Sequence, residues 1–271
     1  MDLKLSDQVV LLSGGSGGIG SACAHTFVRE GCAVAVAGRD PASVQETVDA
    51  IRASGAEDVA GFAGDAGSDE DVAEIVRRVV DRFGRVDVYV GTSGSVATGA
   101  LADVTPDQWL AGFSDKLVGY VRFIRHVAPV MEAGRGGSIV LVMGNGGVEP
   151  RYWELAPGAV NAAGINLCRS LATDLGRRSI RVNSVSPGPV ETKRWDAAQQ
   201  ALAHHNHISF DDAGIVARHT IPRGTLGSAQ EVADVIVFLA SPLAGYVNGA
   251  NIVVDGGQRV PLMDFANYPK I

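Results

Sequence analysis

Cysteine is scarce in this chain: Cys23, Cys32 and Cys168 are the only three among 271 residues. An odd, widely spaced set excludes a disulfide-framed fold. On expected helix or strand positions these residues read as buried or free thiols of a reducing compartment. No apolar run is long enough to span a bilayer, and Met1–Asp7 lacks the charged and apolar regions of a secretory leader. Basic residues are the minority, 23 Lys and Arg against 30 Asp and Glu, giving a formal net charge of −7. No basic stripe is therefore on offer to nucleic-acid phosphates. These absences lead to the expectation of a cytoplasmic protein that engages neither membrane nor nucleic acid. Linkers, repeats and low-complexity tracts are missing as well. With 46% hydrophobic residues, residues 1–271 are expected to bury one core as a single domain.

What the chain does have is glycine in a particular context. Val9–Leu12 is a short apolar run, consistent with a buried parallel strand. It leads into Ser13-Gly14-Gly15-Ser16-Gly17-Gly18-Ile19-Gly20 and then a helical stretch from Ser21 to Glu30. Strand, glycine turn and helix in that order build a phosphate-binding unit. Glycines let the backbone approach a pyrophosphate, and free N–H groups at the helix start face the anion. A second apolar strand, Ala33–Ala37, ends in Gly38-Arg39-Asp40. The alternation of apolar strands and amphipathic helices continues along the chain, which predicts an α/β fold with a parallel sheet.

The spacing of Gly14, Gly18 and Gly20 resembles the T-G-x-x-x-G-x-G loop of the short-chain dehydrogenase/reductase family, with Ser13 in the threonine's place. The resemblance runs on to about Gly257. Gly64-Asp65-Ala66 is similar to the family's adenine-contacting turn, and Gly91-Thr92-Ser93-Gly94 lies where the family has N-N-A-G. Ile180–Gly188 resembles its sixth strand and P-G turn, and Thr192 falls where the family places a threonine on the nicotinamide carboxamide. The resemblance implies a single Rossmann-type domain, a doubly wound parallel sheet with helices on both faces. It also implies a dinucleotide held by Ser13, Gly14, Ser16, Gly18, Ile19 and Gly20 at the phosphates, and by Arg39, Asp65 and Ala66 at the adenosine. Ser93, Gly94, Pro187, Gly188, Val190 and Thr192 would complete the cleft.

The end of the second strand faces the adenosine ribose, where an acidic side chain favours NAD and repels the 2′-phosphate of NADP. Gly38 stands at that position and Arg39 follows, a guanidinium able to pair with the phosphate. NADP(H) is therefore expected over NAD(H). Asp40, one residue later, would take the ribose if the turn were shifted.

The catalytic positions depart from the family. Its tyrosine exchanges a proton with the substrate oxygen, its lysine lowers the tyrosine's pKa, its serine polarises the carbonyl, and an asparagine anchors a water. Counting back from Leu171-Ala172 and Ile180–Gly188 places Pro157 at the tyrosine, Asn161 at the lysine and Gly144 at the serine; Lys116 stands at the asparagine. No lysine occurs between Lys116 and Lys193, so no Y-x-x-x-K pattern exists in any register. Pro157 fits the first turn of a helix. Candidate replacements are Lys116 for the charge of the lost lysine, Asn145 as a carbonyl polariser, and Tyr152, Glu149 or Glu154 as a proton source.

Between Thr192 and Ile221, residues 192–222 are expected to form a substrate lid, with Trp195 and Phe210 as an aromatic wall or as core. His204, His205 and His207 are spaced so that their rings scatter over a helix, which favours a polar lid over a metal site. The tail, residues 258–271, contains Pro261, Met263, Phe265 and Tyr268 and suggests a subunit contact. In the family, Asp107–Val127 and Ala159–Leu175 carry dimer contacts, so a homodimer or homotetramer is expected. The resulting functional expectation is a divergent NADP(H)-dependent oxidoreductase on a small or medium carbonyl, alcohol or enone. The alternatives are a cofactor-binding pseudoenzyme, as sensor or inactive subunit, and a non-redox lyase, isomerase or cyclase.

Overall fold

The computed structural model describes residues 2–151 and 153–258, with backbone alone at 201 and 205. Seven parallel strands form one sheet: β1 (Val9–Ser13), β2 (Ala33–Gly38), β3 (Val59–Ala63), β4 (Val88–Gly91), β5 (Gly137–Val142), β6 (Ile180–Pro187) and β7 (Asn251–Val254). Their order is β3-β2-β1-β4-β5-β6-β7, and every pairing is parallel. This is the doubly wound Rossmann-type arrangement. The chain reverses direction across the sheet between β1 and β4, and the carboxyl ends of those strands open a crevice there.

Alternation along the strands divides the core in two. Val10 and Leu12 of β1, Val34 and Val36 of β2 and Val88 and Val90 of β4 face α1 (Gly18–Arg29), α2 (Pro41–Ala53) and α9 (Ala229–Ala240). Leu11, Ala35, Tyr89, Ile139 and Leu141 face α3 (Asp69–Phe83), α5 (Gly119–Ala133) and α6 (Leu155–Gly176). A sheet buried on both faces needs apolar residues at every strand position, which is why β1 reads as an unbroken run. The three cysteines are buried free thiols. Cys32, expected on a helix or strand, lies just ahead of β2 and donates from Sγ to the Leu5 carbonyl.

The stretch after β4 is not one helix. It runs as α4 (Pro106–Gly112), a π-helical turn over Phe113–Val118, and then α5. The stretch expected to form a lid folds as α7 (Lys193–Asn206) and α8 (Phe210–His219). Trp195 is buried with Trp153, Leu202 and Ile221 in a small core of its own, whereas Phe210 is exposed. The aromatic wall thus resolves into one core residue and one surface residue. Tail residues 259–271 lie outside the described residues. No helix among the described residues is long and apolar enough to cross a membrane.

Candidate nucleotide cleft and active site

The glycine loop connects β1 to α1 at the crevice. Gly14 has φ +72, and a Cβ on it would sit 2.7 Å from the Ser93 backbone nitrogen. Only glycine combines that left-handed backbone with so close an approach. A Cβ on Gly18 would stand 2.5 Å from Cγ2 of Thr192, which brings the start of α7 against the same loop. The helix α1 has Gly17 at its N-cap, with no side-chain cap and no acidic residue in its first turn. Its first N–H groups are therefore left for an anion. Ser13, in contrast, is buried, and its hydroxyl bonds Tyr89 Oη at 2.9 Å and Ser93 Oγ at 3.2 Å. Thr92 Oγ1 donates to the Ser13 and Gly14 carbonyls at 2.8 and 3.0 Å. These bonds lock the loops after β1 and β4 together.

A cavity of about 200 Å³ opens beside this lock. It brings together Ser13, Gly14, Ser16, Arg39, Asp65, Ala66, Ser93 and Gly94 from the expected set, with Gly38 beside Arg39. Asp115 also lines it and was not anticipated, because the π turn that carries it has no sequence pattern of its own. Gly18, Ile19, Gly20, Pro187, Gly188, Val190 and Thr192 are not on this cavity. Val190 is buried and bridges to Gly227, and Thr192 donates from Oγ1 to the Val190 carbonyl at 3.3 Å.

At the end of β2, a Cβ on Gly38 would meet Val44 Cγ2 at 2.9 Å and Ser16 Oγ at 3.2 Å, so any side chain there would press on Val44. Asp40 is otherwise engaged. Its carboxylate caps α2, accepting from the Ala42 and Ser43 backbone N–H groups at 3.2 Å and from the Ser43 hydroxyl. Those bonds, the Ser43 hydroxyl first, hold its pKa below the ordinary carboxylate value. Arg39, exposed, is the one basic residue among the described residues lining the cavity, which also holds the carboxylates of Asp65 and Asp115. The residues present fit a dinucleotide: a cradle only glycine can form, an uncapped helix start and a β2 end that carries no acidic side chain beside a guanidinium.

Behind Gly94 and Asp115, which line the cavity, the altered catalytic positions meet one another. Lys116, in the middle of the π turn, is 6% exposed and donates from Nζ to Asn161 Oδ1 at 2.7 Å; the Met143 carbonyl lies at 3.4 Å. A Cβ on Gly144 would stand 2.8 Å from Asn161 Nδ2. Glycine at 144 therefore makes the room that the Asn161 amide occupies. Gly94 packs on Lys116 as well, since its Cβ would meet Lys116 Cβ at 2.6 Å. Burial, reinforced by the nearby charge of Arg194 and opposed by Glu154, pushes the Lys116 ammonium down to about 7. Pro157 is buried in the first turn of α6, where its missing N–H leaves no bond unmade.

Asn145 faces away from this pair. Its Oδ1 accepts from Arg151 Nη2 at 2.9 Å and its Nδ2 donates to Gln258 Oε1 at 2.9 Å. Arg151, buried, also donates to Gln258 Oε1 and to Glu154 Oε2, each at 2.8 Å. Asn145 and Glu154 are thus bound into a network joining the loop after β5 to the end of β7. Sequence reading passed over Arg151 and Gln258, because partners 107 residues apart leave no local pattern. Tyr152 lies outside the described residues.

The sequence model described as Enoyl-(Acyl carrier protein) reductase matches residues 14–259. The chain belongs to the short-chain dehydrogenase/reductase family. Among family relatives, the Uncharacterized oxidoreductase YvrD of Bacillus subtilis is 33% identical over 261 residues, covering 95% of this chain and 98% of that protein. The 3-oxoacyl-[acyl-carrier-protein] reductase FabG of Thermotoga maritima is 31% identical, over 94% of this chain and 99% of that one. L-Sorbose reductase from Gluconobacter frateurii, solved with NADPH and L-sorbose, superposes with TM-score 0.89 at 28% identity. That match covers 96% of this chain and 99% of that chain. An actinorhodin polyketide ketoreductase variant with NADPH gives TM-score 0.90 at 27% identity, covering 97% and 98%. This short-chain dehydrogenase/reductase is thus an oxidoreductase by family, with NADPH-bound structural neighbours.

Proposed function

We propose that the chain is an NADP(H)-dependent oxidoreductase of a small or medium carbonyl, alcohol or enone, in which Lys116 and Asn161 replace the family's tyrosine and lysine. The carrying observation is the 2.7 Å bond from Lys116 Nζ to Asn161 Oδ1 beside the cleft. The family's asparagine and lysine positions have exchanged side chains, so an amide and an ammonium are still paired there. A carbonyl class is supported by relatives and neighbours named as reductases of 3-oxoacyl groups and of L-sorbose. The preference for NADP(H) rests on the filled Gly38 corner, the capping duty of Asp40 and the free rim position of Arg39.

A bound nicotinamide would supply the hydride in the reductive direction. The chain must then provide a proton as negative charge builds on the substrate oxygen. Lys116 gives it from Nζ and is left as the neutral amine, a change its lowered pKa makes easy near neutrality. Asn161 Oδ1 accepts from the same nitrogen and fixes its direction. Arg39 holds the 2′-phosphate end, and the α1 start faces the diphosphate.

A second reading, binding without turnover, is favoured by the depth of Lys116 and by the two acceptors already around its Nζ. Purified protein, NADPH and a panel of ketones and enones separate the two. Turnover that Lys116→Met abolishes while NADPH affinity stays constant supports the enzyme. Tight NADPH binding with no substrate-dependent oxidation across the panel favours the second reading.

A further inference from the structure

Arg194 sits in the first turn of α7, at the root of the lid, and its Nη1 donates to the Gly94 carbonyl at 3.2 Å. That contact joins residues 100 apart and crosses from the lid to the loop after β4. Two neighbours fix what lies on either side of it. Thr192, two residues earlier, packs on Gly18 of the phosphate loop, and Gly94 packs on Lys116. Arg194 therefore borders the phosphate cradle on one flank and the Lys116–Asn161 pair on the other. Its charge is felt at both Lys116 and Tyr120.

No carboxylate among the described residues forms an ion pair with Arg194. Glu154, the acid whose charge reaches Lys116, is already paired with Arg151. Arg194, exposed to solvent, thus stands near the buried Lys116 without an ion-pair partner in a chain of net charge −7. The guanidinium presents five N–H donors in a planar fork, and one backbone carbonyl uses only one of them.

We propose that Arg194 is the oxyanion receptor of this site, receiving a phosphate or carboxylate oxygen between the lid and Gly94. The oxygen belongs either to the diphosphate of the dinucleotide or to a carboxylate carried by the substrate. The inference rests on the dinucleotide reading above and adds the chemical class of group that the lid recognises. In the carboxylate case the substrate is an oxo acid. In the diphosphate case the lid closes on the cofactor.

Two binding titrations of wild type, Arg194→Ala and Arg194→Lys test it without turnover. In the first, cofactor-free protein is titrated with NADPH. In the second, protein loaded with oxidised NADP, which has no hydride to give a ketone, is titrated with acetoacetate and, as its uncharged counterpart, methyl acetoacetate. Arg194→Ala is expected to lose about 10- to 100-fold in one titration, the range of a charged hydrogen bond. Loss of NADPH affinity assigns the diphosphate. Loss for acetoacetate but not its ester assigns the substrate carboxylate. Arg194→Lys should retain part of the affinity, and the salt dependence should flatten in the alanine variant. Equal affinities of wild type and Arg194→Ala in both titrations would overturn the proposal, as would equal losses for acid and ester. If wild type itself fails to bind NADPH, the dinucleotide reading falls and this inference falls with it.

Discussion

A buried lysine is a good proton donor only if its pKa approaches ambient pH, and at Lys116 desolvation does this. As a general acid it must be protonated, so kcat for reduction should fall as pH rises through about 7. A pH–rate profile checks this, and Lys116→Met should remove the limb and about 10²- to 10⁴-fold of the rate. Stability follows the opposite sense. Between the lowered folded pKa and the ordinary lysine value, the unfolded chain holds a proton that the folded one has released. Stability should therefore rise with pH across that window, and Lys116→Met should flatten the rise. Constant melting temperature differences between the two proteins from pH 7 to 10 would contradict the burial argument. At the other end of the cleft, Arg39→Ala should weaken NADPH about tenfold or more and leave NADH unchanged, as titrations of both cofactors will show. The glycines and Gly38-Arg39 were legible in sequence because backbone approach and charge are properties of single positions. The duties of Asp40 and Asn145 were not, since each is set by which neighbour the folded chain supplies.

Secondary-structure elements carry couplings that single residues hide. The π turn aims Lys116 at α6, and Gly144 after β5 clears space for Asn161 on α6, so three elements share one adjustment. Gly144→Ser alone should cost about 1–3 kcal/mol, because its side chain would press on the Asn161 amide. Denaturant unfolding measures it. Asn161→Lys alone would set a second ammonium against Lys116 Nζ, whereas Lys116→Asn with Asn161→Lys restores one amide and one ammonium. The double exchange should be more stable than the sum of its parts by about 0.5–3 kcal/mol. Additive effects would show that the pair is not coupled. For the same reason, Gly144→Ser with Pro157→Tyr and Asn161→Lys should not produce an ordinary reductase while Lys116 remains. Strands and helices were readable from period and apolar runs. The break at Phe113–Val118 was not, because a π turn has the same composition as the helix around it.

At the scale of the molecule, the exposed large apolar side chains among the described residues include two groups. Leu110 and Val118, 69% and 39% exposed, lie on the α4 and π-turn side. Tyr246, Leu243 and Ile252 are 105%, 40% and 36% exposed next to β7, an edge strand of the sheet. A monomer at equilibrium with water would gain by covering such patches, and an unpaired edge strand invites a partner. Self-association is therefore expected, as a homodimer through one area or a homotetramer through both. The net charge of −7 opposes it, so mass by light scattering should rise with added salt and not fall. Leu110→Asp and Tyr246→Asp each place a charge in one area without touching the cleft. If both areas are interfaces, each variant should reduce a tetramer to dimers and the pair should yield monomer, with NADPH affinity preserved. A monomeric wild type at every salt and protein concentration would sink the expectation, and the exposed residues would then be ordinary surface.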